Sequence, residues 1–342
     1  MESILALTFD EFKDRIVDLL VPRYRAAQIY EWIFQRGATT FDEMTNLPVA
    51  FRQELSKLYK FPKLEVSHLN SLDGTKKFQF MLEDGHIIES VWMPEEKRNT
   101  LCVSSQVGCA MKCAFCVTGA IGFKRNLTAE EIAMQVWAIK CVEKLPLTNV
   151  VYMGMGEPLL NIDHVVRSIE LLTDKIGIAV GKRRITVSTV GIVPKIREFV
   201  AKTDVKLAVS LTGTNNIDRD HWMPINKSHN LEKLTSELKS IPWAEGRKIT
   251  FEVVMIKDKT DSENQARELA KLLQGIPSKV NLIPYNENSF FPQLKTPSPE
   301  KIEKYKQVLL SQGVFAMIRL NRGADIMGAC GQLAGQSLGQ NA

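Results

Sequence analysis

An α/β fold, a partial (β/α)6 barrel, is predicted for the larger part of the chain from three observations. After about residue 98, six short runs rich in β-branched residues follow one another: TLCVSS, NVVYMG, RITVST, KLAVSL, ITFEVVMI and KVNLIPY. Segments with helical spacing, such as VVRSIELLTDKI and ENQARELAKLLQ, separate them. Alternating strand and helix imply parallel strands with right-handed crossovers, and six units fall short of the eight that close a full barrel.

Residues 1–95 are expected to form a small accessory domain of helices and a β-hairpin. Phe9, Phe12, Ile16 and Leu19 recur at helical spacing, and so do Ile29, Trp32 and Ile33 after Pro22. Phe41, Met44 and Leu47 open a short apolar stretch, with Phe51, Leu55 and Leu58 after it. KKFQFML and HIIESVWM, joined through Glu83, Asp84 and Gly85, predict the hairpin, because Asp-Gly between β-rich runs is a strong turn signal. The barrel core is expected over 96–320. A last strand-like run, FAMIRL, leads into a glycine-rich tail over 321–342 that carries Cys330.

Composition places few limits on function. With 44% hydrophobic and 24% charged residues the chain is globular. No segment approaches the roughly 20 apolar residues of a membrane span, and Asp10, Glu11, Lys13 and Asp14 break the N-terminal stretch, so a cytoplasmic location without a membrane partner is expected. In that compartment, clustered cysteines are more often metal ligands or redox catalysts than disulfides. A net charge of +5 mildly favours an anionic partner.

Four of the six cysteines stand between Cys102 and Cys116. Cys109, Cys113 and Cys116 are spaced CxxxCxxC in a loop leaving the first core strand, so three thiolates can converge on one centre. Structural zinc needs a fourth protein ligand, and His68, His86, His164, His221 and His229 form no close pair. An iron-sulfur cluster held by three cysteines keeps one iron free for a substrate or cofactor. Other motif residues fall at the carboxyl ends of successive strands, where parallel α/β folds bind ligands: Gly156 and Glu157, Ser188, Ser210 and Asn286. Cys141 fits no motif and reads as a packed cysteine.

With Phe115, the CxxxCxxC loop resembles the radical S-adenosylmethionine superfamily. Within it, YRAAQIYEWIF, FDEMTNLP, IIESVWMPE, CVSSQVGC, GMGEPLLN, ITVSTVGIVPKI, LAVSL with MPIN, VNLIPYN and ACGQLAG resemble the adenine carbon-2 RNA methyltransferases of the RlmN type. The resemblance implies that Cys109, Cys113 and Cys116 hold a 4Fe-4S cluster. It implies that Gly156, Glu157, Ser188, Ser210, Leu211, Thr212 and Asn286 bind S-adenosyl-L-methionine, two per turnover. One of these methylates Cys330, and the other yields a deoxyadenosyl radical that takes hydrogen from that methyl. Carbon then adds to adenine, Glu89 removes the carbon-2 proton, and Cys102 attacks Cys330 to release the product with a disulfide bond.

Substrates implied in the same way are 23S rRNA and tRNA, with an electron donor such as flavodoxin or ferredoxin. Arg23, Arg25, Arg36, Lys124, Arg125, Lys182, Arg183, Arg184, Arg319 and Arg322 are candidates for phosphate contact. Thr212 stands where the family usually has histidine, and Ala324 and Met327 where it has acids. Alternatives are the sister class that methylates carbon 8, against which Pro158 speaks, and a non-catalytic metal-containing RNA-binding protein.

Overall fold

The computed structural model describes residues 1–17 and 22–335, so Leu19 and the end of the tail lie outside the described residues. The N-terminal part comprises β1 (Glu2–Ser3), α1 (Phe9–Ile16), α2 (Tyr24–Tyr30), α3 (Val49–Leu58) and β2 (Tyr59–Lys60). A capping box of Thr8 and Glu11 starts α1, and its apolar spacing puts Phe12 and Ile16 into the core. Helix α2 widens into a π-helical turn over Glu31–Arg36, which Gly37 ends with a left-handed φ of 77°. Phe41, Met44 and Leu47 are buried in a stretch of turns, where the apolar spacing serves packing without making a helix.

Next come β3 (Glu65–Asn70), β4 (Lys76–Met81) and β5 (Ile87–Pro94), an antiparallel meander. The turn at Asp84 and Gly85 closes the predicted hairpin, with Met81 opposite Ile87. Strand β3 was not expected. Its sequence, EVSHLN, has an exposed face and offers few apolar residues to signal a strand.

The core contains β6 (Asn99–Cys102), β7 (Gln106–Gly108), α4 (Val117–Ile121), β8 (Phe123–Asn126), α5 (Ala129–Trp137), β9 (Asn149–Tyr152) and α6 (Ile162–Thr173). It continues with β10 (Ile185–Thr189), α7 (Val193–Lys202), β11 (Lys206–Ser210), α8 (Asn216–Trp222), α9 (Leu231–Ser240) and β12 (Ile249–Met255). The last elements are α10 (Glu263–Leu272), β13 (Ser278–Pro284), α11 (Pro299–Ser311) and β14 (Ala316–Ile318). Capping boxes at Thr128 and Ser262 start α5 and α10.

One ten-stranded sheet runs in the order β14-β13-β12-β11-β10-β9-β6-β5-β4-β3, with parallel pairing from β6 to β14 and antiparallel pairing from β6 to β3. The sheet is open, with β14 and β3 as its edges. Six strand-helix units are followed by the seventh parallel strand, β14. The accessory hairpin is continuous with the core sheet, because β5 pairs with β6 from Val91–Cys102 to Pro94–Asn99. Since β6, β9, β10, β11, β12 and β13 all run the same way, the segments after their C-terminal ends meet on one edge.

Candidate active site

At that edge a cavity is lined by Cys109, Cys113, Cys116, Gly156, Glu157, Ser188, Ser210, Thr212, Asn286 and Cys330. An adjoining cavity shares Cys116, Asn286 and Cys330 and adds Cys102, Glu252 and Arg319. Residues far apart in the sequence are thus gathered because they follow, or end, neighbouring parallel strands.

The cysteine loop is fixed from several sides. Its flanks pair as β7 with β8, and Ala114 N donates to Trp222 O at 3.0 Å. Cys113, Ala114 and Phe115 pack on a small apolar cluster that includes Trp222, Met223 and Tyr285. Beneath it, Gln106 Oε1 accepts from Glu157 N at 2.8 Å, and Gln106 Nε2 donates to Asn126 Oδ1. Gln135 accepts from Ser104 N at 2.8 Å and from Ser90 Oγ at 2.6 Å. These buried amides bind the loops after β6 and β9 into one rigid floor.

Glycine is required at 156, where φ is +104° and an added Cβ would lie 2.6 Å from Gln106 Cβ. At Gly154 an added Cβ would meet Val103 O at 2.7 Å. The Glu157 carboxylate accepts from Leu159 N at 3.0 Å, Thr189 Oγ1 at 2.7 Å and Val190 N at 2.8 Å. It therefore ties the β9 loop to the end of β10. Burial prevails over these bonds and pushes its carboxyl up to about 7.

Burial also raises the thiols of this loop: Cys109 is pushed up to about 12, and Cys113 and Cys116 are raised. In addition, Cys113 feels Cys116 and Cys109, so each thiolate opposes its neighbours until a cationic group binds among them. The three thiols line one cavity together. Asn286 Oδ1, buried and without a partner, offers an acceptor at the same cavity. The donor set, the glycine-lined wall and this orphaned acceptor fit a cluster together with S-adenosylmethionine.

The tail covers the site. Gly331 O accepts from Val117 N at 2.8 Å, Leu333 O from Thr118 Oγ1 at 2.7 Å, and Asn286 Nδ2 donates to Cys330 O at 3.0 Å. At its start, Asp325 accepts from Ser71 Oγ at 2.6 Å and Leu72 N at 3.2 Å, and Asp73 accepts from Gly323 N at 3.1 Å. Cys330 opens onto solvent and both cavities, whereas Cys102 is buried at the end of β6. Burial raises the Cys102 thiol, and Arg319 acts on it in the opposite direction. The expected disulfide bond is not present: Cys102 and Cys330 are free thiols, and hydrogen bonds hold the tail.

Two expected site residues line neither cavity. Glu89, 1% exposed, pairs with Lys77 at 3.2 Å and accepts from Gln79 Nε2 at 2.9 Å and Ala334 N at 2.8 Å. Leu211 points into the main core. Thr212 does line the cavity, and its hydroxyl accepts from Val254 N at 3.3 Å. Glu252, which sequence reasoning missed, is buried between both cavities and accepts from Asn281 Nδ2 at 2.8 Å. An acid inside the apolar run ITFEVVMI was the available signal. Among the basic candidates, Arg319 and Arg322 stand beside Cys330. Arg125 is committed to Glu131 and Asp84. Lys182, Arg183 and Arg184 precede β10 and so lie at the opposite edge of the sheet. Cys141 is simply buried, as expected.

Fold and site define a radical S-adenosylmethionine enzyme, and the Radical SAM superfamily profile matches residues 103–270. A ribosomal RNA large subunit methyltransferase N-terminal domain profile matches residues 3–60. The dual-specificity RNA methyltransferase RlmN of Geotalea uraniireducens is 46% identical over 98% of this chain and 97% of that protein. RlmN 2 of Myxococcus xanthus is 48% identical over 91% of this chain and 84% of that protein. A radical SAM methyltransferase crystal structure from Sphaerobacter thermophilus superposes with a TM-score of 0.92 at 40% identity, covering 98% of this chain and 100% of that one. The chain belongs to the RlmN family of dual-specificity RNA methyltransferases.

Proposed function

We propose that the protein methylates carbon 2 of adenosine in 23S rRNA and in tRNA, with Cys330 as methyl carrier and Cys102 as resolving thiol. One observation carries this reading: Cys330 lines both the cavity ringed by Cys109, Cys113 and Cys116 and the cavity that holds Cys102. Bound together, the 4Fe-4S cluster and S-adenosylmethionine supply the methyl group and the one-electron chemistry.

The chain's own residues divide the remaining work. Cys109, Cys113 and Cys116 hold the cluster. Gly156, Glu157, Ser188, Ser210, Thr212 and Asn286 line the cofactor cavity, and Leu211 contributes backbone alone. For product release, the Cys102 thiolate attacks Cys330 Sγ. The sulfur-sulfur bond forms as the sulfur-carbon bond breaks, and the carbon leaves with the electron pair and gains a proton. Glu89 serves as base for the carbon-2 proton once the amide of Ala334 gives up its carboxylate. Residues 1–95 contact RNA, 96–320 house the cofactors and 321–342 carry Cys330, with flavodoxin or ferredoxin as electron donor. Pro158 and the names of the relatives support carbon 2 over the carbon-8 alternative.

Anaerobic reconstitution with iron and sulfide, followed by incubation with 23S rRNA or tRNA and S-adenosylmethionine, tests the reading. Nucleoside mass spectrometry is expected to find 2-methyladenosine. Finding 8-methyladenosine instead moves the protein to the sister class, and no methylated adenosine refutes both. Cys102→Ala is expected to accumulate a covalent protein-RNA adduct and Cys330→Ala to form none, read on denaturing gels.

A further inference from the structure

Arg219 is wholly buried on α8 and makes no direct ion pair among the described residues; Asp220 reaches it through Asn226, whose Nδ2 donates to Asp220 Oδ1 at 2.7 Å. Its Nη1 donates to Asn226 Oδ1 at 2.9 Å and His229 O at 3.4 Å, and its Nη2 to Val190 O at 2.7 Å and Ser210 O at 3.4 Å. All four acceptors are neutral, and Nε has no partner. Burying a cation without a directly paired anion costs several kcal/mol in proteins. Even with burial lowering it to about 10, the guanidinium keeps its proton at neutral pH.

The surrounding chain is built around it. Gly213, with φ of +103°, would place a Cβ 2.7 Å from Arg219 N, and a Cβ on Gly191 would meet Nη2 at 3.4 Å. Helix α8 is attached to the cysteine loop by the Ala114 to Trp222 hydrogen bond. Val190 and Ser210, whose carbonyls accept from its Nη2, both line the cavity that Cys109, Cys113 and Cys116 share. Arg219 lines neither cavity, so it acts on the site through its field.

We propose that Arg219 is the built-in counter-charge of the iron-sulfur cluster and sets how readily that cluster is reduced. Three thiolates make the bound cluster anionic, and taking one electron from a donor makes it more so, with no bond broken and no proton moved. A fixed buried cation stabilises the reduced form more than the oxidised one and raises the potential. This inference rests on Cys109, Cys113 and Cys116 as cluster ligands and is independent of which RNA is methylated.

The test is the midpoint potential of the reconstituted full-length protein, titrated anaerobically with dithionite and followed by the electron paramagnetic resonance of the reduced cluster. Arg219→Met is expected to lower the reduction equilibrium about tenfold or more, 59 mV per tenfold for one electron. Arg219→Lys, which keeps the charge, should stay near wild type. Asn226→Asp places a carboxylate against Nη1 and should also lower the potential, so the assignment stays decidable if Arg219→Met fails to fold. Equal potentials for wild type, Arg219→Met and Asn226→Asp, at equal iron and sulfide content, overturn it. Loss of S-adenosylmethionine binding in Arg219→Met with an unmoved potential overturns it in favour of a cofactor-binding role. Wild-type protein that takes up no iron refutes the ligand assignment and this inference with it.

Discussion

Glu157 shows how one residue can hold a site together at a measurable cost. Its carboxyl, ordinarily at 4.5, is pushed up to about 7 by burial in the folded chain. Between those values the folded state binds more protons than the unfolded one. Its stability contribution is therefore fully present below pH 4.5 and declines as pH rises toward 7. Relative to Glu157→Gln, wild type is expected to lose roughly 3 kcal/mol of unfolding free energy between pH 4.5 and 8. Urea unfolding of both proteins at those pH values checks this, and a difference independent of pH would contradict it. At this scale the CxxxCxxC spacing announced that three cysteines share one loop, and they do line one cavity with Gly156 and Cys330, whereas Cys330 taken alone read as an ordinary cysteine until the resemblance gave it a task. Glu252 and Arg219 were not legible, since an isolated charge in a sequence reads as a solvated one until the fold buries it.

Among the elements, the tail that carries Cys330 was the least legible. FAMIRL signalled a strand, but nothing in RGADIMGACGQLAG indicates that Asp325 will meet Ser71 and Leu72, or that Gly323 will meet Asp73. These contacts depend on the turn between β3 and β4, and β3 itself gave too weak an alternation to be expected. They fasten the tail at points six and eight residues before Gly331, whose carbonyl is held by Val117 N. Cys330 thus hangs on a short strap fixed at both ends. Removing the first fastening with Asp325→Ala is expected to speed tryptic cleavage after Arg319 and Arg322. RNA methylation should fall several-fold while reductive cleavage of S-adenosylmethionine persists, because the cluster loop is untouched. Unchanged proteolysis and methylation would show that the second fastening alone suffices.

At the scale of the whole molecule, the predicted division into an accessory part and a barrel is bridged twice. The hairpin continues the core sheet through β5 and β6. The N-terminal helices dock on α5 and α6, where Trp137 Nε1 donates to Ile33 O at 3.0 Å and Arg167 donates to Ala6 O at 2.9 Å. Arg167 also pairs with Glu11, and the Trp137 ring lies 6.2 Å from Phe61. Sequence periodicity reveals which face of a helix is apolar, but not which partner covers it, so the alternation of strands was legible and this docking was not. Trp137 is fully buried, and truncating such a ring costs on the order of 3–5 kcal/mol. Because the ring belongs to α5 and its hydrogen bond to the N-terminal segment, Trp137→Ala weakens both parts together. Thermal unfolding is therefore expected to remain one transition at a lower midpoint, with far-ultraviolet dichroism and calorimetry coinciding. Two separated transitions, the first melting only the N-terminal helices, would show that the accessory part folds independently of the sheet it extends.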